Sequence, residues 1–334
     1  MIGGTLFIGR VLVAKLRAAG HNVAVLHRKP EHDLGADVES IQADRNDGNA
    51  VQAALSGRKF DAVFDNVFDW TRGTTADQVV ACARACNTGR LRRYVFMSSV
   101  AAYGDCADAP ESAPLAADTH ADLYARHKAM SERALFGLSG LPAVTLRPPF
   151  IYGPGNPYYR EAYFWDRFAA GRAVMVPDQG ERMMQFIHVE DLADCAMRCL
   201  DVDAAVGEAF NVAGVPISQL DLVRALAAAL GKVHAEIYGI PRDEILRAGG
   251  QVMGPNFYFA EYLDLPPIAQ HISKAQRLLG FEARPFSDGL AANYRWWQAA
   301  RPVFPQASDA GAGKSFAFED GLLSCDSRVR LAAL

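Results

Sequence analysis

Up to about residue 150 the chain alternates short β-type runs with helical stretches, and no other feature narrows the possible folds as much. Strands joined through helices make βαβ units, whose strands lie parallel in one sheet. Residues 10–19 (RVLVAKLRAA) read as a helix ended by Gly20, Asn22 to His27 as a strand, Val38 to Ala43 as a weaker strand, and Ala50 to Leu55 as a helix. Phe60 to Val67 reads as a strand, Thr75 to Cys86 as a helix, and Arg93 to Ser98 as a strand whose apolar run suits a sheet covered on both faces. Glu111 to Thr119 is polar loop, Tyr124 to Leu138 a long helix, and Ala143 to Arg147 the next strand. The expected fold class is α/β, a doubly wound parallel sheet with a smaller C-terminal α/β lobe.

Beyond Pro148 the texture changes. Pro148, Pro149, Gly153, Pro154, Gly155 and Pro157 punctuate a loop, and shorter, mixed elements follow. Leu220 to Leu230, Ser273 to Leu279 and Asp288 to Ala300 read as helices. From Pro302 to Lys314 the text is rich in Gly, Ala, Ser and Pro and reads as a linker, followed by a short helical piece near Phe318 to Leu323. The expected division is a first domain over 1–150 with its first strand truncated, a substrate lobe over 151–302 interleaved with it, and a tail over 303–334.

Composition excludes several classes. With 34 Lys and Arg against 38 Asp and Glu, the formal charge is −4, so nothing global attracts a phosphate backbone or anionic lipid. No apolar stretch approaches the roughly 20 residues needed to span a bilayer, and Met1-Ile2-Gly3-Gly4 lacks the regions of a signal peptide, so the expectation is a cytoplasmic protein. Cys82 and Cys86, and again Cys195 and Cys199, are spaced i,i+4 in Ala-rich helical text and read as small buried hydrophobes, with no metal site expected. Arg90, Arg92 and Arg93 are the densest cations and read as a solvated loop, so a nucleic-acid partner is not favoured.

Gly3-Gly4-Thr5-Leu6-Phe7-Ile8-Gly9 leads straight into the first helix. A bare strand-to-helix turn lets backbone N–H groups and the helix N-terminal dipole approach a pyrophosphate, so Gly3, Thr5, Phe7, Ile8 and Gly9 are the expected contacts. Leu6 fills the middle of the three usual glycine positions, and only Met1 and Ile2 precede the turn, so the central strand should be nearly absent. After the second strand, where an Asp or Glu would hold the ribose of NAD, the text is His27-Arg28-Lys29. Two cations there would welcome a 2′-phosphate, which favours NADP over NAD. Asp44 and Arg45 end the next strand; Asp44 either accepts from the adenine amino group or caps the helix that follows.

Tyr124 and Lys128 of Tyr124-Ala125-Arg126-His127-Lys128 fall one helical turn apart on one face. An ammonium there pulls a phenol down from about 10 toward working pH and fits it for proton transfer. A strand ending in Ser98-Ser99 precedes this helix.

These segments, with LRPPFIYGPGN, FIHVEDLA and FNVAG following in order, make the chain resemble an extended short-chain dehydrogenase/reductase of the NAD-dependent epimerase/dehydratase family. The likeness runs from Met1 to about Trp297, and its GGTxFIG turn is similar to an atypical branch that also includes plastid RNA-binding proteins. The resemblance implies a Rossmann domain, Ser99 hydrogen-bonding the reacting oxygen, Tyr124 as general acid/base, and Lys128 on the nicotinamide ribose. It also implies that Ser98, Pro149 and Ile151 flank the nicotinamide, that Asn66 and Val67 line the ribose side, and that a homodimer forms through the Tyr124 helix. On the substrate side Met184 stands where nucleotide-sugar members carry an arginine; Arg182 is the candidate substitute, and Tyr158 and Arg160 lie in an aromatic stretch that either walls a pocket or packs a core. The implied activity is that of an NAD(P)-dependent oxidoreductase or epimerase, by hydride transfer at a carbinol or carbonyl carbon of a sugar-like or other small hydroxylated substrate, and the alternative is a non-catalytic member that binds RNA or protein.

Overall fold

The computed structural model describes residues 1–231, 236–254, 256–304 and 316–333. The linker expected between Pro302 and Lys314 falls almost wholly outside them. The chain divides into two compact units: Met1–Ile151 with Phe186–Ala213 and Gln270–Ala283, and Tyr152–Gln185 with Gly214–Ala269 and Arg284–Leu334.

The first unit holds α1 (Phe7–Ala18), β1 (Ala24–His27), β2 (Glu39–Gln42), α2 (Gly48–Leu55), β3 (Ala62–Asp65), α3 (Ala76–Cys86), β4 (Arg93–Met97), α4 (Leu123–Phe136) and β5 (Ala143–Arg147). Parallel pairing runs β1 with β2, β3 with β4, β4 with β5, and β5 with the later strand Ala209–Asn211. Residues Phe186–Ala213 therefore belong to this unit, because their strand extends its sheet.

Ahead of the glycine turn, Ile2 takes the place of a strand between β1 and β3. Ile2 bridges Leu26 of β1 on one side and Asp65 of β3 on the other, both in parallel. Ile2 N–H donates to Phe64 O (2.8 Å), Gly3 N–H to Leu26 O (3.1 Å), Leu26 N–H to Met1 O (2.8 Å) and Asn66 N–H to Ile2 O (3.1 Å). The backbone groups of β1 and β3 that face each other are thus joined through Met1, Ile2 and Gly3.

Side-chain alternation places a different core on each face of this sheet. Val25, Phe64, Val95, Met97, Val144 and Leu146 pack with Leu12, Val13 and Leu16 of α1 and with Leu192, Ala196 and Cys199 of the helix Val189–Asp201. Leu26, Val63, Tyr94 and Phe96 pack with Val79, Cys82, Ala83 and Cys86 of α3 and Leu135 of α4. All four helical cysteines are buried in these cores. Thr75 and Gln78 form a capping box on α3, and Asp122 caps α4 by accepting from the N–H of Tyr124 (2.8 Å). In the GRLRR segment Arg90 pairs with Asp61, while Arg93 is buried on Cys199 O and Asp203.

In the second unit, the strand Glu236–Ile240 runs parallel to Val174–Pro177 and antiparallel to Val329–Ala333. The aromatic stretch forms the helix Glu161–Ala169, whose Tyr163, Phe164, Trp165 and Phe168 are core residues. Core packing therefore accounts for most of that stretch.

Two glycines of the turn are fixed by space. Gly3 has φ +79° and a Cβ there would meet Val67 Cγ2 at 2.3 Å; a Cβ on Gly9 would meet Gly3 O at 2.2 Å. Gly9→Ala must displace backbone, so it should cost about 1–3 kcal/mol of stability. A urea midpoint unchanged from wild type would contradict this packing.

Candidate active site

The sheet delivers its loops at the carboxyl ends of β1, β3, β4 and β5, the place where open α/β sheets bind ligands. The turn from Gly3 leads into α1, whose first residues are Phe7, Ile8 and Gly9 and whose N-cap Leu6 provides no side-chain cap. Phe7 is held at φ +32°, a costly conformation for a residue with a side chain. The bare Gly3–Gly4 backbone and the start of α1 without a side-chain cap fit a pyrophosphate, and Gly3 lets the turn pass close under Val67, where a Cβ would collide.

Lys128 lies on α4 with its side chain turned under β4. It is 5% exposed, and its Nζ donates to Met97 O at 2.6 Å. The ammonium stands 4.9 Å from the ring centre of Phe96, 5.5 Å from Phe68 and 5.7 Å from Tyr124. Burial lowers its pKa from 10.5 to about 8, against the attraction of Asp65. Tyr124 is half-buried. The structure thus brings the two residues of the expected dyad together.

Ser99 lies two residues past β4 and caps the 3₁₀ turn Val100–Tyr103; its Oγ accepts from Ala101 N–H at 3.1 Å, which leaves its O–H to donate elsewhere. A buried network fixes that turn. Tyr103 O–H donates to Asn211 Oδ1 (2.7 Å), Arg147 donates to the Tyr103 oxygen (2.6 Å) and to Glu132 (2.6 Å), and Asn211 Nδ2 donates to Ala109 O (2.9 Å). Ser98 is buried beside Ser99, and Val100 N–H donates to Pro148 O, which ties the Ser turn to the loop carrying Pro149 and Ile151.

The loop after β3 contributes residues that the sequence did not single out. Trp70, 59% exposed, stacks on Tyr124 with ring centres 4.8 Å apart, and Phe68 meets the same ring edge-on at 4.7 Å. Asp69 pins the loop: its Oδ1 accepts from Thr71 N–H and Arg72 N–H, and its own N–H donates to Thr74 Oγ1 (all 3.0 Å). These bonds hold the Asp69 carboxyl below its usual range, the Arg72 N–H foremost. Asn66 and Val67 open this loop, with Val67 against Gly3.

The cations expected for a 2′-phosphate sit beside a charged chain. Arg28, 67% exposed at its side chain, reaches Asp69 at 3.4 Å, and Arg72 bridges Asp69 (2.7 Å) and Asp44 (2.8 Å). Lys29 is exposed. Asp44 accepts from Asn46 N–H and from Arg72, so the helix cap is Asp47. Arg45 turns inward instead: it is 3% exposed and donates to Asp65 at 2.6 Å.

In the second unit the substrate-side candidates are committed to neighbours. Arg182 donates to Asp264 Oδ1 and O and to Leu265 O, at 2.9–3.0 Å. Arg160 is buried, donates to Glu261 O (3.1 Å), and lies over the Tyr158 ring at 4.4 Å. Met184 is buried. Among the described residues no helix is long and apolar enough to cross a membrane.

The chain is 28% identical over 314 residues to the chloroplast stem-loop binding protein of 41 kDa b of Arabidopsis thaliana, covering 88% of this chain and 77% of that one. It is 30% identical over 251 residues to the 2-alkyl-3-oxoalkanoate reductase of Stenotrophomonas maltophilia, covering 69% and 74%. The fold matches the solved UDP-glucose 4-epimerase of Thermotoga maritima with TM-score 0.71 at 19% identity, over 90% of this chain and 98% of that one. Residues 1–213, which carry the turn, Ser99, Tyr124 and Lys128, match the NAD dependent epimerase/dehydratase family. The chain belongs to that family of NAD-dependent enzymes.

Proposed function

We propose that this enzyme transfers hydride at a secondary carbinol or carbonyl carbon, with Tyr124 giving or taking the proton of the reacting oxygen. The observation that carries this reading is the buried Lys128 ammonium beside the Tyr124 ring, one turn away on α4. A phenol next to a fixed cation exchanges its proton more readily, a contribution of typically 10²- to 10⁴-fold. Ser99, with its Oγ lone pair on Ala101 N–H, donates to the same substrate oxygen and orients it. Gly3, Thr5, Phe7, Ile8 and Gly9 would hold the dinucleotide's pyrophosphate, Asn66 and Val67 its ribose side, and Ser98, Pro149 and Ile151 its nicotinamide end. Bound there, the nicotinamide supplies or accepts the hydride. Arg28 and Lys29 support NADP as the preferred form, with no carboxylate at the end of β1 to claim a ribose 2′-hydroxyl.

The substrate reading favours a small oxo or hydroxy compound with an apolar substituent over a nucleotide diphosphate sugar. Trp70 presents an exposed indole next to Tyr124. Arg182 is bound to Asp264 and Met184 is apolar, so neither supports diphosphate recognition. A relative acting on 2-alkyl-3-oxoalkanoates is in keeping with that chemistry. The test is NADPH consumption with a 2-alkyl-3-oxo acid against interconversion of UDP-glucose and UDP-galactose. Turnover of the oxo acid is expected, and turnover of the UDP-sugars alone would overturn the substrate reading.

Arg28→Ala should weaken NADP binding about tenfold or more, read from quenching of NADPH fluorescence, and leave NAD nearly unaffected. Equal losses for both would remove the 2′-phosphate assignment.

The charge on Lys128 gives a pH prediction with a fixed sign. The pair needs the ammonium, so activity should fall as pH rises through about 8. The unfolded chain keeps that proton to about pH 10.5 and the fold only to about 8, so the buried charge works against folding below pH 8. Lys128→Met should therefore abolish turnover yet raise Tm at pH 7, with the gain shrinking between pH 8 and 10.5. A lowered Tm at pH 7 would contradict the buried charge.

A further inference from the structure

A second buried pair lies under the dyad, on the same sheet face. Asp65, the last residue of β3, is 1% exposed, and it is the register partner of Phe96 in β4. Because side chains alternate along a strand, Asp65 shares the face of Val63, as Tyr94 shares that of Phe96, and α3 and α4 cover this face. Lys128 descends onto it from α4, with its ammonium 4.9 Å from the Phe96 ring and on Met97 O. Asp65 Oδ2 accepts from Arg45 (2.6 Å) and from Tyr94 O–H (2.8 Å), while Asp65 Oδ1 has no hydrogen-bond partner among the described residues. Arg45 likewise makes one bond only, with Nε and Nη1 unmatched among those residues.

We propose that Asp65 is a positioning residue for Tyr124 and Lys128: its buried carboxylate is the counter-charge that keeps the Lys128 ammonium protonated and seated on Met97 O, and Arg45 limits how much of that charge Lys128 receives. The physical reason is the low dielectric of the site. An ammonium enclosed by Phe68, Phe96 and Tyr124 loses hydration and tends to shed its proton unless a negative charge is near. The groups facing it are few. From α4 come Tyr124 and Glu132, and Glu132 is already spent on Arg147 in a bidentate bond. From β3 comes Asp65, from the segment after β2 comes Arg45, and from β4 comes only the Met97 carbonyl. Asp65 raises the Lys128 pKa, Arg45 lowers it and Glu132 raises it, with Asp65 the largest of the three. A carboxylate with one oxygen uncommitted serves this better than one closed on both sides by arginine. The Arg45–Asp65 pair therefore does more than brace the segment after β2 against β3: it sets the charge of a lysine on α4 that reaches the neighbouring strand β4.

The role assigned to Asp65 rests on the reading of Lys128 as the partner of Tyr124, whereas the coupling itself is measured without any substrate. The experiment is an NMR titration of protein labelled with ¹³Cε-lysine, with the Lys128 signal identified by its absence in Lys128→Arg. The wild-type midpoint is expected near pH 8. Asp65→Asn should lower it by about one pH unit or more, Arg45→Met should raise it, and Arg45→Met/Asp65→Asn should fall between the two single variants. Tyr94→Phe, which removes a hydrogen bond but no charge, should move it little and serves as the structural control. If Asp65→Asn fails to fold with Arg45 stranded, the comparison of Arg45→Met with the double variant reads the same coupling with no unpaired guanidinium. An unchanged Lys128 midpoint in folded variants lacking Asp65 would overturn the proposal. A shifted midpoint in a protein that transfers no hydride would leave the coupling intact and count against the catalytic reading alone.

Discussion

A positive charge held out of water is the constraint around which this active site is arranged. Lys128 puts its ammonium under β4 on a single backbone carbonyl, inside three aromatic rings. Burial of the lysine works against the fold while it is charged, and the proposed reading gives that charge a use. In the proposed reading Asp65 and Arg45 set the field on one side, and Tyr124 presents its ring on the other. The rest of the first unit keeps these groups where they are, through the Tyr103–Arg147–Glu132–Asn211 network below the Ser99 turn and the Asp69-pinned loop that carries Phe68 and Trp70.

Between β1 and β3 the sheet is closed by the backbone of Met1, Ile2 and Gly3. Four backbone hydrogen bonds run from Met1, Ile2 and Gly3 to Leu26 of β1 on one side and to Phe64 and Asn66 at the end of β3 on the other. The turn follows at once, so Gly3 and Gly9 are placed by contacts with Val67 and with each other.

Much of this was legible in the chain itself. The βαβ alternation, the glycine turn, and the four-residue spacing of Tyr124 and Lys128 are local patterns, and local patterns survive in a sequence. Asp65 and Arg45 were not legible as a pair, since 20 residues separate them and only the sheet brings them together; Arg45 read as a cofactor contact because its position at a strand end resembles one. Trp70 carried no signal beyond its place after a strand, and its stacking on Tyr124 depends on how Asp69 folds the loop. The first strand looked missing because a strand of one residue has no periodicity to read. On the substrate side, Arg182 is a cation at a suggestive position, and only its three bonds to the Asp264 and Leu265 region reveal that it holds a loop.

The most direct test follows the hydride itself. With NADPH carrying deuterium at C4 of the nicotinamide ring and a 2-alkyl-3-oxo acid, mass spectrometry of the hydroxy product should find the label on the carbinol carbon. Tyr124→Phe should bind NADPH as tightly as the wild type and transfer no label. Equal labelling by the two proteins would contradict the account, because the phenol beside the buried ammonium would then have no part in the reaction.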